Sequence, residues 1–394
     1  MDYKKIIRSR AARENILRAL AFIPDEAMLR IQYRIKTGRA LHLKHPTRFT
    51  EKLQWYKLYY RDPDMLRCVD KYEVRAYLRE RGFQDLLPRC FGVFDSPDQL
   101  PVPQLPDRFV LKDTLGSGGN AVLLCPDKDR ADWRAIRKTA AGWCATPLVR
   151  DGGREWPYYS GKPHRILAEE YLQLAAGPLT DYKFFCFGGK CAFVYVCTGR
   201  HNGSAVEIHI VSPSYEKLPV VRVGDEPSDR LPNRPKNFGE MVRLAEAISA
   251  PFPHVRVDLY NVDGLIRFGE LTFFNASGYM LYEPDCFDRE IGDRFRFRSG
   301  ENDPGEGHHE SAAGNAIFHR AARRPVLYQI CLCRHPAAVW RGLWSADALR
   351  PCEADLVPPA GGRYGGRFPD GARFPERQHP APAAARDDPR HPGE

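Results

Sequence analysis

Strand-length runs that follow one another through turns too short to hold a crossover constrain this chain most. Between residues 66 and 290, β-rich runs fall at 109–112, 121–124, 165–172, 182–187, 191–197, 205–211, 255–262 and 265–274. Two pairs of them are separated only by short glycine-containing turns, at Gly188-Gly189 and at Asp263-Gly264. A parallel crossover needs about a dozen residues or more, so such turns force antiparallel neighbours. Helical patterns at 71–82, 133–143 and 238–249 lie among the runs. The reading is therefore a mixed α+β body, not a doubly wound parallel sheet.

With 43% apolar and 11% aromatic residues, the 394-residue chain can bury a sizeable core, which excludes wholesale disorder. No window approaches the roughly 18 uninterrupted apolar residues of a membrane span. The start, with Lys4, Lys5, Arg8 and Arg10, lacks the apolar stretch of a signal peptide, so a cytoplasmic location is expected. The 11 cysteines are scattered, which points to reduced thiols and to neither a disulfide framework nor a zinc site.

Three segments are expected. Residues 1–65 read as a basic helical lead-in, with Ile6, Ile7, Ile16, Leu17, Leu20, Ile23 and Leu29 at roughly helical spacing. It packs on the body or, by the same amphipathic pattern, makes peripheral contact with a membrane surface. Residues 66–298 form the α+β body. Residues 299–394 hold 12 prolines and 12 arginines but no lysine, and are expected to be a low-complexity, largely disordered tail. That composition also fits a translated wrong reading frame of GC-rich DNA. The tail's 12 acidic residues balance its arginines, so the net charge of +9 belongs to the first 298 residues and suits a phosphate-bearing ligand. Basic residues are not interleaved with aromatics along one stripe, so nucleic acid is not an expected partner.

Three elements carry chemistry. The run Phe109-Val-Leu-Lys112 leads into Gly116, Ser117, Gly118 and Gly119 and then a second strand. Such a hairpin folds over a nucleotide, because glycines let the backbone approach phosphate oxygens and lysine adds a point charge. No Gly-Lys-Ser/Thr leads into a helix, so it is not a Walker A loop. The second element is Glu169-Glu170-Tyr171-Leu172, whose acids suit an adenine amino group and whose backbone at Tyr171 and Leu172 suits the ring edge. Asp181-Tyr-Lys183 follows, with both charged residues on one strand face.

The third and strongest element is the hairpin from Val255 to Gly278, with Arg256, Asp258, Glu270, Thr272 and Asn275. Its loop length decides which side chains meet. A two-residue loop puts Asp258 and Glu270 on opposite faces, whereas a three-residue loop, 262–264, makes them diagonal neighbours on one face. The three-residue loop is expected. Two adjacent carboxylates then make sense as Mg2+ ligands, with at least one pKa raised by their repulsion when no metal is bound.

These residues, together with Thr47-Arg-Phe-Thr-Glu-Lys-Leu-Gln-Trp55, Asp70-Lys71-Tyr-x-Val-Arg75 and Gly269-Glu270-Leu-Thr-Phe-Phe, resemble the TupA-like ATP-grasp family, named for teichuronopeptide biosynthesis. The resemblance covers roughly 40–295 and implies the ATP-grasp fold, in which two α+β subdomains clasp ATP. It implies that Lys71 and Lys112 contact ATP phosphates and that residues 116–119 close over them. Glu169 or Glu170 would hold adenine, Lys183 would face phosphate or substrate, and Asp258, Glu270 and Thr272 would bind Mg2+. Two positions depart from the pattern: Thr272 stands where ATP-grasp ligases carry Asn, and Thr114-Leu115 where relatives usually show Asn-His.

The activity implied is an ATP-dependent carboxylate-amine ligase working through an acyl phosphate, in cell-surface polysaccharide modification or biosynthesis. Its substrates would be a small-molecule or oligosaccharide carboxylate and an amine. Arg200 and Arg256 are the candidates to grip the acceptor carboxylate, since guanidinium forks match carboxylates. Two rivals belong to other classes: a glycosyltransferase, for which Asp62-Pro63-Asp64 in the helical lead-in is an Asp-x-Asp match, and a catalytically silent ATP-binding scaffold.

Overall fold

The computed structural model describes residues 15–297 apart from 18, 117–120, 147–152, 160, 176, 200–205 and 226–230. The expected tail, the first 14 residues, Ser117, Gly118, Gly119 and Arg200 lie outside the described residues. Among the described residues the cysteines are free thiols, and no helix is long and apolar enough to cross a membrane.

Ahead of the sheets, among the described residues, stand helices α1 (Asp25–Thr37), α2 (Phe49–Tyr59), α3 (Pro63–Cys68) and α4 (Glu73–Glu80). Helix α1 has Asp25 and Glu26 in its first turn, where carboxylates suit the positive end of the dipole. It ends at Gly38, whose φ of 75° lets its N–H reach the Arg34 carbonyl. The motif Thr47 to Trp55 builds the start of α2: Glu51 reaches back to accept from the backbone N–H groups of Thr47 (3.0 Å) and Arg48 (3.1 Å). Asp288, far along the chain, accepts from the Thr50 N–H at 3.0 Å and satisfies another open donor. Helix α2 buries Phe49, Leu53, Trp55 and Tyr56, so its face pattern is that of a core helix. Of the apolar lead-in residues, Leu29 is fully buried in this core, whereas Ile16 is exposed.

Two antiparallel sheets follow. The first contains β1 (Cys90–Phe94), β2 (Phe109–Asp113), β3 (Val122–Cys125) and β4 (Ile166–Glu170), ordered β1-β4-β2-β3 and covered by α5 (Trp133–Cys144). Phe109, Leu111, Ile166, Ala168, Ala140 and Trp143 form its small core. The second contains β5 (Asp181–Phe187), β6 (Lys190–Thr198), β7 (Glu207–Val211), β9 (His254–Val262) and β10 (Leu265–Thr272), ordered β10-β9-β5-β6-β7. Helix α6 (Phe238–Ser249) lies on it, and a separate ribbon pairs β8 (Val221–Arg222) with β11 (Tyr282–Glu283). The antiparallel expectation holds for every strand pair. The sequence reading missed β1, where Gly92 at a register shift interrupts the alternation, and the final helix α7 (Cys286–Arg294).

Helices α2 and α7 pack through Gly292. A Cβ there would stand 2.0 Å from the Thr47 carbonyl oxygen and 2.9 Å from the Phe49 nitrogen, both backbone atoms that cannot swing aside. Gly292→Ala is therefore expected to lower folding stability by about 1–3 kcal/mol, as overpacking does. Urea denaturation checks it, and a midpoint unchanged from the native protein would show that the two helices can part freely.

Candidate active site

The β9–β10 hairpin decides the floor of the site. Asp263 and Gly264 both have positive φ, 50° and 95°, and Leu265 pairs with Val262, so the loop has two residues, not the three expected. Parity alone would then separate Asp258 from Glu270. The register slips at Gly269, however: Phe268 pairs with Leu259 and Glu270 with Asp258, a β-bulge of one residue. The bulge restores the common face and makes the two carboxylates direct neighbours instead of diagonal ones. A Cβ at Gly269 would approach the Asp258 carbonyl oxygen and the Tyr260 ring to 3.1 Å, which is why the extra residue is glycine.

Register places Lys183 opposite Asp258, and Tyr195 opposite Lys183, so one row crosses four strands from Tyr195 through Lys183 and Asp258 to Glu270. Lys183 Nζ donates to Asp258 and lies 2.6 Å from Asp181 Oδ2. Arg256 ties the row together. Its Nε and Nη2 donate to the two Asp258 oxygens at 2.6 and 2.7 Å, Nη2 also donates to Glu270 Oε1 at 2.7 Å, and Nη1 donates to Asn275 Oδ1. Thr272 Oγ1 donates to the same Glu270 oxygen at 3.1 Å.

The electrostatics differ from two bare carboxylates in repulsion. Burial works against the charge on Glu270, but Arg256, Lys183 and Lys71 outweigh it and hold the carboxyl at about 2. Burial likewise opposes the charge on Lys183, and Asp181 with Asp258 outweighs it, holding the amine above its ordinary value. For Asp258, burial pushes upward while Arg256 and Lys183 pull down. Both Asp258 oxygens face cationic N–H donors, and this geometry favours the ionised pair. The expected rise falls on Asp258, but burial leads it and the repulsion of Asp181 and Glu270 ranks last, because the guanidinium fork stands between the two carboxylates.

The opposite wall comes from the four-stranded sheet. Lys112 on β2 donates to Glu169 on β4, which also lies 3.7 Å from Arg75 Nη1. Glu170 accepts from the Arg89 N–H at 3.0 Å. Lys71 donates to the Gly116 carbonyl, its backbone N–H donates to Thr114 O at 2.9 Å, and burial pushes its amine below the ordinary value. Asp70, beside it, accepts from the Tyr72 and Glu73 N–H groups at 2.8 and 3.0 Å and so opens α4. Lys71, Lys112, Gly116, Glu169, Glu170, Tyr171, Leu172, Lys183, Arg256, Asp258, Glu270 and Thr272 all line one cleft of about 1100 Å3 between the two sheets. Every described candidate is brought together there.

The TupA-like ATP-grasp family profile matches residues 51–296. The chain belongs to the TupA-like ATP-grasp family. The resemblance read from the motifs stands, and with it the ATP-grasp fold. Solved structures of similar fold include D-alanine–D-alanine ligase from Bacillus anthracis complexed with ATP, at 15% identity and TM-score 0.34 over 52% of this chain and 55% of that one. The ATP-grasp ligase PsnB with minimal precursor, Mg and ADP matches at 16% identity and TM-score 0.30 over 57% of each chain. An ADP complex of the purK N5-carboxyaminoimidazole ribonucleotide synthetase matches at 13% and 0.32, over 52% of this chain and 45% of that one. The chain spans about half the length of these structures. No curated protein matches it.

In this TupA-like ATP-grasp chain the sequence reading missed a clamp on the cleft rim. Ala276 and Ser277 both adopt left-handed backbone (φ 46° and 55°), and the fully buried Lys57 of α2 donates to the Ser277 carbonyl (2.8 Å) and to the Gly153 carbonyl (2.9 Å). Gln54 donates to the Gly278 carbonyl at 2.9 Å. The available signal was a lysine and a glutamine among the aromatic residues of α2, since buried polar groups need partners. Arg222, which also lines the cleft, lies in a two-residue strand and gave no signal. Among the described residues no group of three or more His, Cys, Asp or Glu is placed to hold a metal ion. A cation here would draw on Glu270 and the neutral oxygen of Thr272, since both oxygens of the expected ligand Asp258 and the Asn275 carbonyl are held by Arg256 and Lys183; these hard oxygens suit Mg2+ completed by water and phosphate oxygens.

Proposed function

We propose that the chain is an ATP-dependent carboxylate-amine ligase acting through an acyl phosphate, in the modification or biosynthesis of a cell-surface polysaccharide. One observation carries the reading: Lys71 and Lys112 from one wall, and Lys183, Arg256 and Glu270 from the other, line a single cleft. Such an arrangement handles a polyphosphate by position and charge, with no nucleophilic side chain required. Glu169 orients Lys112, and the backbone at Tyr171 and Leu172 offers the edge an adenine ring needs. Glu270 Oε2 takes neither bond described above and, with Thr272, is the donor open to Mg2+; bound there, the ion would neutralise phosphate charge. In the reaction, a carboxylate oxygen bonds to the γ-phosphorus as the bond to ADP breaks. The amine nitrogen then bonds to the carbonyl carbon, phosphate leaves, and the amine's proton passes to solvent.

The Asp62-Pro63-Asp64 match does not favour the glycosyltransferase alternative. Asp62 caps α3 by accepting from the Asp64 N–H at 2.8 Å, and Asp64 pairs with Arg67 and Arg81 at 3.4 and 3.1 Å, so both acids have structural work. The test is phosphate release from ATP and Mg2+ with amino acids and uronic-acid oligosaccharides. Release should require a carboxylate and an amine together, and hydroxylamine should trap a hydroxamate. Release that ignores the carboxylate would count against the ligase.

Lys112→Ala is expected to weaken binding of ATP with Mg2+ roughly 10- to 100-fold, the worth of a charge-assisted hydrogen bond of about 1.5–3 kcal/mol. Calorimetric titration reads this directly, and unchanged affinity would remove Lys112 from the phosphate site.

A further inference from the structure

The two arginines among the described residues lining the cleft, Arg222 and Arg256, differ in what they have left to offer. Arg256 was a sequence candidate to grip the acceptor carboxylate. Its fork is already spent on Asp258, Glu270 and Asn275, which makes it a structural strut of the floor. Arg200 lies outside the described residues. Arg222 is held along one edge only: Nε and Nη2 donate to the Asp225 oxygens at 2.7 and 2.8 Å. Nη1 makes no hydrogen bond among the described residues, and the side chain is 30% exposed, so this end of the fork is open to the cleft.

The mounting is rigid. Arg222 pairs with Tyr282 across the β8–β11 ribbon, and the Tyr282 hydroxyl bonds the Tyr195 hydroxyl at 2.6 Å. The guanidinium stands 5.9 Å from the Tyr195 ring centre. Cys197 and Ile208 line the same end of the cleft. One oriented fork set beside Tyr195, Cys197 and Ile208, with Asp181 across from Cys197 already paired to Lys183, forms a site that takes a small molecule by its carboxylate. Asp225 offsets part of the positive charge, so recognition rests on directed N–H groups more than on attraction at a distance.

Position separates this group from the reacting one. Tyr195 stands three strands from Glu270 along the row, roughly 14 Å at the usual spacing between strands. We propose that Arg222 determines specificity by anchoring a carboxylate that does not react, carried by one of the two substrates remote from the group that is phosphorylated. The proposal rests on the ligase reading and narrows it: one substrate carries an acid beyond those used in the chemistry.

The test compares acids with their amides on the full chain, with and without ATP and Mg2+. Glycylglycine against glycylglycinamide probes the amine substrate, and glutarate against its mono-amide probes the carboxyl donor. Calorimetry on the native protein should favour the acid of one pair at least tenfold, and which pair does so identifies the substrate carrying the anchor. Arg222→Gln should erase that preference while ATP affinity stays native. Should Arg222→Gln be insoluble, Arg222→Lys serves, since an ammonium keeps the charge but loses the fork and should also lose most of the preference. Equal binding of acid and amide in the native protein, no binding of any probe, or a preference that survives both substitutions would overturn the assignment. Failure of ATP to bind the native protein would instead count against the ligase reading itself.

Discussion

Arg256→Met is expected to destabilise the protein by about 3–5 kcal/mol, because it removes one partner from a buried charge network and leaves the others unpaired. The guanidinium is 9% exposed, and the Asp258 carboxylate beneath it 1%. Lys183 would remain to face Asp181 and Asp258, while Glu270 and Asn275 would lose their shared donor. Urea denaturation of Arg256→Met, Asp258→Asn and the double variant forms the check. The double variant should be less destabilised than the sum of the two single changes, since each single change strands a group that the other removes. A loss below about 1 kcal/mol in Arg256→Met would mean that water, not the guanidinium, satisfies these carboxylates.

Glu270→Gln should leave folding close to native and reduce turnover at least 10²- to 10³-fold, the scale on which removing one preorganised charge-stabilising group acts. The amide can still accept from Arg256 and Thr272, so the floor keeps its hydrogen bonds. It is a poor ligand for Mg2+, however, which prefers charged oxygen. Thermal melting separates the two effects. In the native protein Mg2+ should add to the stabilisation given by ATP, by linkage, and in Glu270→Gln that increment should shrink. Asp258→Asn is the weaker probe, because both Asp258 oxygens are already committed to Arg256 and Lys183. Full phosphate release by Glu270→Gln would place the metal elsewhere in the cleft.

Much of the site was legible because its determinants are local. Lys112 before a glycine run, two acids before Tyr171, and Asp181 two residues from Lys183 are patterns within single strands and turns, and the structure sets them all on one cleft. The alternation of the strands and the shortness of Gly188-Gly189 and Asp263-Gly264 likewise settled that the sheets are antiparallel.

What stayed hidden depends on one residue of register or on partners distant in the chain. A bulge at Gly269 reverses the parity of everything after it, and its signal, one glycine in a strand, equally fits several local structures. Whether Arg256 grips a substrate or braces the floor turns on Asn275, 19 residues away, and on Glu270 across the hairpin. The buried ends of Lys57 and Asp288 meet carbonyl and N–H groups more than 200 residues away in sequence. The sequence by itself determined most of the strands and most of the charged residues that the cleft gathers, because side-chain period and turn chemistry act over a few residues. Only the tertiary structure decided which charges are consumed by one another and which, like the open edge of Arg222, are left for a ligand, because pairing is settled by distances that no local pattern encodes.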